Sequence, residues 1–483
     1  MIDRPLVVGF DLDLTLIDSR AGIAAVYDLL AAETGVAVDS ALVVSRLGPP
    51  VDAELANWFP AEDVPALADR YRALYPEHAI APSALLPGAA GAVAAVRAQG
   101  GGVVVVTGKN TANARLHLHH LGIEVDAVEG WEPHRREMYG EGKAASLRHH
   151  GVTVYVGDHV ADMAAARAAD AVAVGVPTGP HSRAELLEAG ADVVLDDLVA
   201  FEGWLAEHVL AQRVSVLKSR LRQLDGVVVA FSGGADSAFL LATAVDVLGP
   251  ERVVAATAVS PSLPAAELES AAAFAAEYGV RHLTPSTDEM SRDGYRANAG
   301  DRCFFCKAEL LDTLLPLAAA CGLPHVATGT NADDVVAGFR PGIRAAAERG
   351  AVTPLLDAGL TKAQIRAASR ARGLRTWDKP AAACLSSRIA YGVEITPHGL
   401  ARVERAEVTI RAALAAAGLP TRDLRVRDLG GDVARVEVDA DLVAALRART
   451  DLLQTVEGFA RLTVESFRSG SMNELLAEPD RYF

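Results

Sequence analysis

Two aspartates one residue apart, Asp11 and Asp13 in VVGFDLDLTLIDS, follow an apolar run that reads as a buried strand. A carboxylate at the end of such a strand can attack phosphorus if a divalent cation screens the repulsion, and a second carboxylate beside it can move the proton. Asp11 is therefore the candidate nucleophile and Asp13 the candidate acid/base. The pattern alone is weak, because strands commonly end in solvated acidic turns, and three later stretches give it weight. VVVVTGKN ends a strand in Thr107, a hydroxyl for phosphoryl oxygens, and EGKAASL offers Lys143 as a counter-charge. VYVGDHVADMAAA places Asp158 after a strand and Asp162 a helical turn later, a pair suited to hold Mg2+.

A second phosphate device lies in the middle of the chain. In AFSGGADS, Ser232, Gly233, Gly234, Asp236 and Ser237 sit where a strand turns into a helix, presenting free backbone amides and a positive dipole end to an anion. No lysine follows the second glycine, so the loop suits a pyrophosphate that departs as a unit. Asp236 and the later Asp333 are candidate helpers of ATP and magnesium. Downstream, DRCFFCK carries Cys303 and Cys306, and KPAAACLSSRIAYG carries Cys384. Such thiols can bind zinc with two further ligands, exchange disulfides, simply pack, or, as a set of three, ligate a [4Fe-4S] cluster with one iron left open. Without a second C-x-x-C or C-x-x-H, structural zinc is the weaker option. Cys321 reads as a buried helical cysteine without a role.

The elements that must position these groups follow from apolar patterning. PLVVGF, GVVVVT, VTVYVG and AVAVGV alternate with alanine-rich helical stretches, and the rhythm restarts with GVVVAF, RVVAATAV and HVATG. An amphipathic connector, LDDLVAFEGWLAEHVLAQRVSVLKSRLRQL, separates the two blocks, with a boundary near Glu207. From Thr396 the character changes, with LRVRDL and VARVEVD as strands among helices. The expected fold class is α/β: two Rossmann-like parallel-sheet domains, 1–205 with a helical insert over about 21–84 and 206–395, then a smaller α+β domain, 396–483. The 483 residues, 51% hydrophobic, suffice for more than one core. The four cysteines are too few for a stapled secreted fold of this size, and no leader or bilayer-length apolar run is seen, so a cytoplasmic location without a membrane partner is expected. A net charge of −16 argues against a nucleic-acid partner unless a local basic patch holds one.

The ordered set Asp11, Asp13, Thr107, Lys143 and Asp158 resembles the haloacid dehalogenase superfamily over residues 1–205. The resemblance implies phosphorylation of Asp11, proton transfer by Asp13, neutralisation by Thr107 and Lys143, and magnesium held by Asp11, Asp158 and the Asp13 carbonyl. The insert resembles the small cap by which such phosphatases choose substrates. SGGADS resembles the PP-loop of the ATP pyrophosphatase superfamily, whose members form adenylates. The series SGGADS, DRCFFCK, TGTNADD, FRPGIRAA, WDKPAAACLSSRIAYG, LRVRDLGGDVARVEV and SFRSGSMNE, from about Leu210 onward, resembles the LarE sulfur transferases.

That resemblance implies a small-molecule nucleotide substrate, a pyridinium dicarboxylate mononucleotide. Its carboxylate is adenylated and becomes a thiocarboxylate on the way to the nickel-pincer nucleotide cofactor. It also implies a sulfide donor and homo-oligomeric assembly. Arg388, Arg425, Arg427 and Arg468 match the family's arginine-bearing motifs. The substrate phosphate falls to Arg425, Arg427 and Arg468 with Ser387 as a further donor, and Glu407 matches an acidic position near the active site. In members with one cysteine, that residue falls at Cys384 and gives up its sulfur once. With Cys303 and Cys306 present, the chain resembles the branch that uses a cluster and turns over. Two alternatives stay open: a PP-loop tRNA thiolase, and a sulfur transferase whose dehalogenase-like half only regulates.

Overall fold

The computed structural model describes residues 5–48, 50–132, 141–336, 341–380, 383–454, 456–468 and 470–475. Phe339 and Arg340 of FRPGIRAA, Ala381 and Ala382 of the cysteine motif, and Ser469 of SFRSGSMNE lie outside them. The chain divides into two compact units, Met1–Val209 and Leu210–Phe483, with the division inside the helix Phe201–Arg222.

The first unit is built on a six-stranded parallel sheet. Its order is Ala127–Trp131, Gly102–Asn110, Val7–Phe10, Val154–Gly157, Val172–Gly175, Val193–Val194. Helices cover both faces, so the central strands read as continuous valine runs and not as alternating patterns. Val8 and Phe10 enter one core, while Val104, Val106 and Tyr155 enter another. Because Gly102–Asn110, Val7–Phe10 and Val154–Gly157 are adjacent and parallel, Thr107, Asp11 and Asp158 emerge at one edge. After Asp13 the chain leaves through Ile17–Asp18 and returns through Ala84–Leu85, an antiparallel pair. Between them lie the helices Arg20–Thr34, Ser40–Ser45, Val51–Leu55 and Val64–His78, which bury Ile23, Val26, Leu30, Leu55, Tyr71 and Tyr75 in a core of their own.

In the second unit four parallel strands run in the order Arg281–Leu283, Val253–Ala256, Val227–Ala230, His325–Thr328. Successive strand residues face opposite sides. Val227 and Val229 pack with Phe239 and Leu240 of the helix Ala235–Leu248, and Val228 packs with Leu311 and Leu314 of the helix Arg302–Ala320. The turn between the strand Val227–Ala230 and its helix needs Gly233 in a left-handed conformation at φ +70° and ends on Gly234, the N-cap.

A three-stranded sheet follows, Leu424–Asp428 antiparallel to Val433–Val438, which is parallel to Arg461–Ser466. The helix Pro397–Ala416 packs on it, started by Thr396, whose hydroxyl accepts from the Gly399 amide, with Pro397 in the first turn. The short 3-10 turn Leu385–Arg388, directly after Cys384, is drawn to this sheet where the Ala390 amide donates to the Asp428 carbonyl at 2.8 Å. The fold class read from sequence therefore stands: two parallel α/β sheets and a smaller α+β part. Among the described residues no helix is long and apolar enough to cross a membrane.

The helix behind the Ser232–Ser237 loop is apolar on nearly every side, and Leu240 is fully buried in it. Leu240→Ala should destabilise the second unit by about 2–5 kcal/mol. Denaturant unfolding followed by hydrogen exchange should show the loss confined to Leu210–Phe483, with the first unit's protection unchanged.

Candidate active sites

In the first unit, Asp11 is buried and its carboxylate accepts from Lys143 Nζ at 2.8 Å. The same ammonium donates to Asp162 at 2.5 Å. Thr15 donates its hydroxyl to Asp158 at 2.9 Å, and Asp162 also closes a capping box by accepting from the His159 amide. Ligand oxygens of Asp11, Asp158 and Asp162 lie within 4.8 Å of one another, and among the described residues no other group of three metal-ligating side chains does so. One lysine cannot balance three carboxylates. Burial and the carboxylates of Asp162 and Asp13 push Asp11 up to about 7 against the pull of Lys143. Burial and Asp11 likewise hold Asp158 well above the usual carboxylate range. The same acids keep Lys143 charged in spite of its burial. Three clustered carboxylate donors of this kind fit a divalent cation.

Asp13 stands differently. Its two oxygens accept from Ser19 Oγ at 2.5 Å and pair with Lys109 Nζ at 3.1 Å. Lys109 in turn donates to the Tyr75 hydroxyl on the insert helix Val64–His78. Thr107 is buried, its hydroxyl accepting from the Lys109 amide. Asp11, Asp13, Tyr75, Thr107, Lys109 and Lys143 line one cavity of about 260 Å³ with Tyr27, Arg46, Arg72 and Trp131. Sequence reading brought Asp11, Asp13, Thr107, Lys143, Asp158 and Asp162 to one site and did not single out Lys109, Ser19 or Gly179. A Cβ at Gly179 would sit 1.8 Å from an Asp158 oxygen, so that position must be glycine.

In the second unit, Ser232, Gly234, Asp236 and Ser237 line a cavity of about 360 Å³ with Thr257, Gly329, Thr330, Asp334 and Lys307. Ser232 and Ser237 hydroxyls are 3.1 Å apart, and Ser237 also donates to the Gly234 carbonyl, which leaves both at the mouth of the helix. Asp236 is pushed up by desolvation, Lys362 lies 3.9 Å from its Oδ2, and its Oδ1 is buried without a hydrogen-bond donor. Such an orphaned oxygen fits a magnesium nucleotide. Asp333 accepts from the Lys362 amide at 2.7 Å and is not among the residues lining the cavity. Lys307, next to Cys306 in sequence, is a cavity cation that motif reading passed over. The protein around it pulls its ammonium down, with Cys306 and Asp334 opposing.

The three thiols come from two elements and lie close enough to act on one another's charge, without gathering as tightly as the three aspartates. Cys303 is exposed on the first turn of the helix Arg302–Ala320, Cys306 is one turn further, and Cys384 precedes the turn Leu385–Arg388. Desolvation, Cys384 and Glu289 all push the Cys306 thiol up, and Cys303 adds to this. Arg302 is buried beside them, raised above its ordinary value by Cys384 and Cys303 although burial opposes this. It donates to the Ser386 carbonyl at 2.9 Å.

Beyond Cys384, Arg388, Arg425 and Arg427 are all buried. Arg388 pairs with Glu407 at 2.9 Å and donates to the Cys384 carbonyl and to Ser387. Arg427 pairs with Glu437 at 2.8 Å and reaches the Ser387 carbonyl. Burial and neighbouring Arg388 pull Arg425 and Arg427 down. Arg388, Arg425 and Arg427 thus lie buried near one another with Glu407 and Glu437, a cluster of guanidiniums of the kind that receives an anion. Arg468 is not part of this cluster: it is exposed and paired with Glu474 at 2.8 Å.

Comparison with known proteins finds relatives for both units. The haloacid dehalogenase-like hydrolase family matches residues 8–167 and a HAD-hydrolase-like family matches 136–201, while the NAD synthase family matches 209–299. The chain is thus a dehalogenase-type hydrolase domain followed by a PP-loop domain. Over 277 residues, 56% of this chain and 100% of the relative, it is 41% identical to the uncharacterized protein slr1717 of Synechocystis. Over 275 residues, 56% of this chain and 96% of the relative, it is 34% identical to the pyridinium-3,5-bisthiocarboxylic acid mononucleotide synthase of Lactiplantibacillus plantarum. By its second unit the chain belongs to the LarE family. A probable phosphatase, IndB of Dickeya dadantii, is 28% identical over 222 residues, 43% of this chain and 95% of that one.

The crowding of Asp11, Asp158 and Asp162 generates a direct test. With chelator present, Asp158→Asn should be at least as heat-stable as the parent, because one of three repelling carboxylates is gone. Added magnesium should raise the parent's melting temperature and leave that of the variant in place.

Proposed function

We propose that the second unit is an ATP-dependent sulfur transferase and the first a magnesium-dependent phosphatase. For the transferase, the observation that carries the reading is Cys384 placed directly before the turn Leu385–Arg388, whose Arg388 is buried along with Arg425 and Arg427, in a unit whose Cys306 feels the charge of Cys384 and Cys303. Arg425 and Arg427, with Ser387 and Arg388, hold the 5'-phosphate of a pyridinium-3,5-dicarboxylate mononucleotide. Ser232, Gly234 and Ser237 hold the phosphates of ATP, with Asp236 and Lys307 beside them. The substrate carboxylate oxygen attacks the α-phosphorus and pyrophosphate leaves. Sulfur then attacks the carbonyl carbon, and AMP leaves with the former carboxylate oxygen. Adenylation is required because a free carboxylate is a poor electrophile.

Three thiolates without a fourth protein ligand fit a [4Fe-4S] cluster, which when bound would supply one iron free to take up exogenous sulfide. Arg302 offsets the negative charge of the set. Repeated sulfuration then consumes no protein atom, whereas transfer from Cys384 itself would end after one turnover. The thiocarboxylate product is a step toward the nickel-pincer cofactor. A tRNA thiolase finds less support, since Arg388, Arg425 and Arg427 are buried while the chain as a whole carries −16.

In the phosphatase, Asp11 attacks the phosphoryl group with Lys143 and Thr107 against its oxygens, and Asp13, held by Ser19 and Lys109, passes the proton to the leaving oxygen. Magnesium held by Asp11, Asp158 and the Asp13 carbonyl, with Asp162 behind Lys143, would screen the approach of the two anions. Presence of both activities on one chain supports a shared pathway, in which the phosphatase removes a competing mononucleotide or the AMP by-product.

Protein purified without oxygen should absorb broadly near ~400 nm and hold about four irons per chain, with both lost in Cys303→Ala. A colourless protein after iron and sulfide reconstitution would leave Cys384 as the sulfur source. Asp11→Asn should lose at least ~10³-fold of magnesium-dependent phosphomonoester hydrolysis while ATP-dependent pyrophosphate release continues unchanged.

A further inference from the structure

Lys379 belongs to none of the roles above, yet it joins the Ser232–Ser237 loop to the helix Ala265–Glu277. Its ammonium donates to the Gly233 carbonyl at 3.0 Å and to Glu267 Oε2, on the helix Ala265–Glu277, at 2.7 Å. Lys379 is absent from the residues lining the nucleotide cavity, whereas Ser232, Gly234 and Ser237 line it. The lysine therefore grips the loop from behind. In a planar trans peptide the carbonyl and the following N–H point in opposite directions. Holding the Gly233 carbonyl thus fixes the plane of the Gly233–Gly234 peptide, whose Gly234 N–H stands within the loop 3.4 Å from Ser232 Oγ, its acceptor, at the start of the helix Ala235–Leu248. Gly233 itself is left-handed at φ +70°, and Ala271 lies at ordinary contact distance, 3.5 Å, from where a Cβ would stand.

The same lysine lies five positions before Cys384 in KPAAAC, and that segment is held again where the Leu385 amide donates to the Ser262 carbonyl at 2.8 Å. Ser262 is followed by Leu263, which lines the nucleotide cavity. We propose that Lys379 is a positioning residue. Clamped by Glu267, it orients the Gly233–Gly234 peptide for pyrophosphate. The proposal rests on the reading of Ser232–Ser237 as an ATP site.

Two variants, Lys379→Met and Glu267→Gln, test it in the full chain with inorganic pyrophosphate as the probe. Both should bind pyrophosphate about 5–10-fold more weakly than the parent, as expected for loss of one charge-assisted bond to the backbone, with the double variant no worse than Lys379→Met. Hydrogen exchange of peptides covering Phe231–Ser237 and Thr376–Lys379 should speed up in both. If Glu267→Gln binds as tightly as the parent or more tightly, Lys379 is a phosphate ligand freed from its acid, and the positioning role is overturned. Unchanged binding in Lys379→Met, or unchanged exchange in both peptides, overturns it as well. Should Lys379→Met fold poorly, Glu267→Gln alone decides. A parent that binds no pyrophosphate refutes the ATP reading itself, a separate failure.

Discussion

Buried charge organises both units. In the first, Asp11, Asp158 and Asp162 gather around Lys143; in the second, Arg388, Arg425 and Arg427 lie buried near one another with Glu407 and Glu437. Such arrangements cost folding free energy, because like charges repel and each buried ion loses its hydration. They persist because the surrounding cores over-determine the backbone: valine-rich strands buried on both faces place Asp11, Thr107 and Asp158 side by side, whatever the charges prefer.

Much of this was legible in the sequence because motif and element coincide. DLD follows VVGF directly, and a strand of that composition has nowhere to go but the middle of a sheet, so the aspartates emerge at its end. The glycine turn after VVVA was equally readable. Edge strands were not: Ala127–Trp131 carries Glu129 and Gly130, Arg281–Leu283 is three residues long, and Arg461–Ser466 is mostly exposed, so none shows the apolar run by which strands are found.

Among site residues, types tied to a motif were recovered, while lysines acting through space were not. Lys109 reaches Asp13 from a neighbouring strand, and Lys307 enters the nucleotide cavity from a helix started by the C-x-x-C stretch. Their partners lie far away along the chain, and spacing carries no trace of them. Arg468 illustrates the reverse: its motif matched, but its side chain stands in solvent with Glu474, outside the buried cluster.

The central claim is that one chain converts a nucleotide carboxylate into a thiocarboxylate at the expense of the α–β phosphate bond of ATP. The most direct measurement is mass analysis of the product formed anaerobically from pyridinium-3,5-dicarboxylate mononucleotide, ATP and sulfide, with pyrophosphate and AMP counted in the same samples. The account predicts sulfur in place of carboxylate oxygen, with one pyrophosphate and one AMP per sulfur inserted, through more turnovers than there are protein chains. ADP in place of AMP, or sulfur appearing in tRNA and not in the mononucleotide, would contradict it.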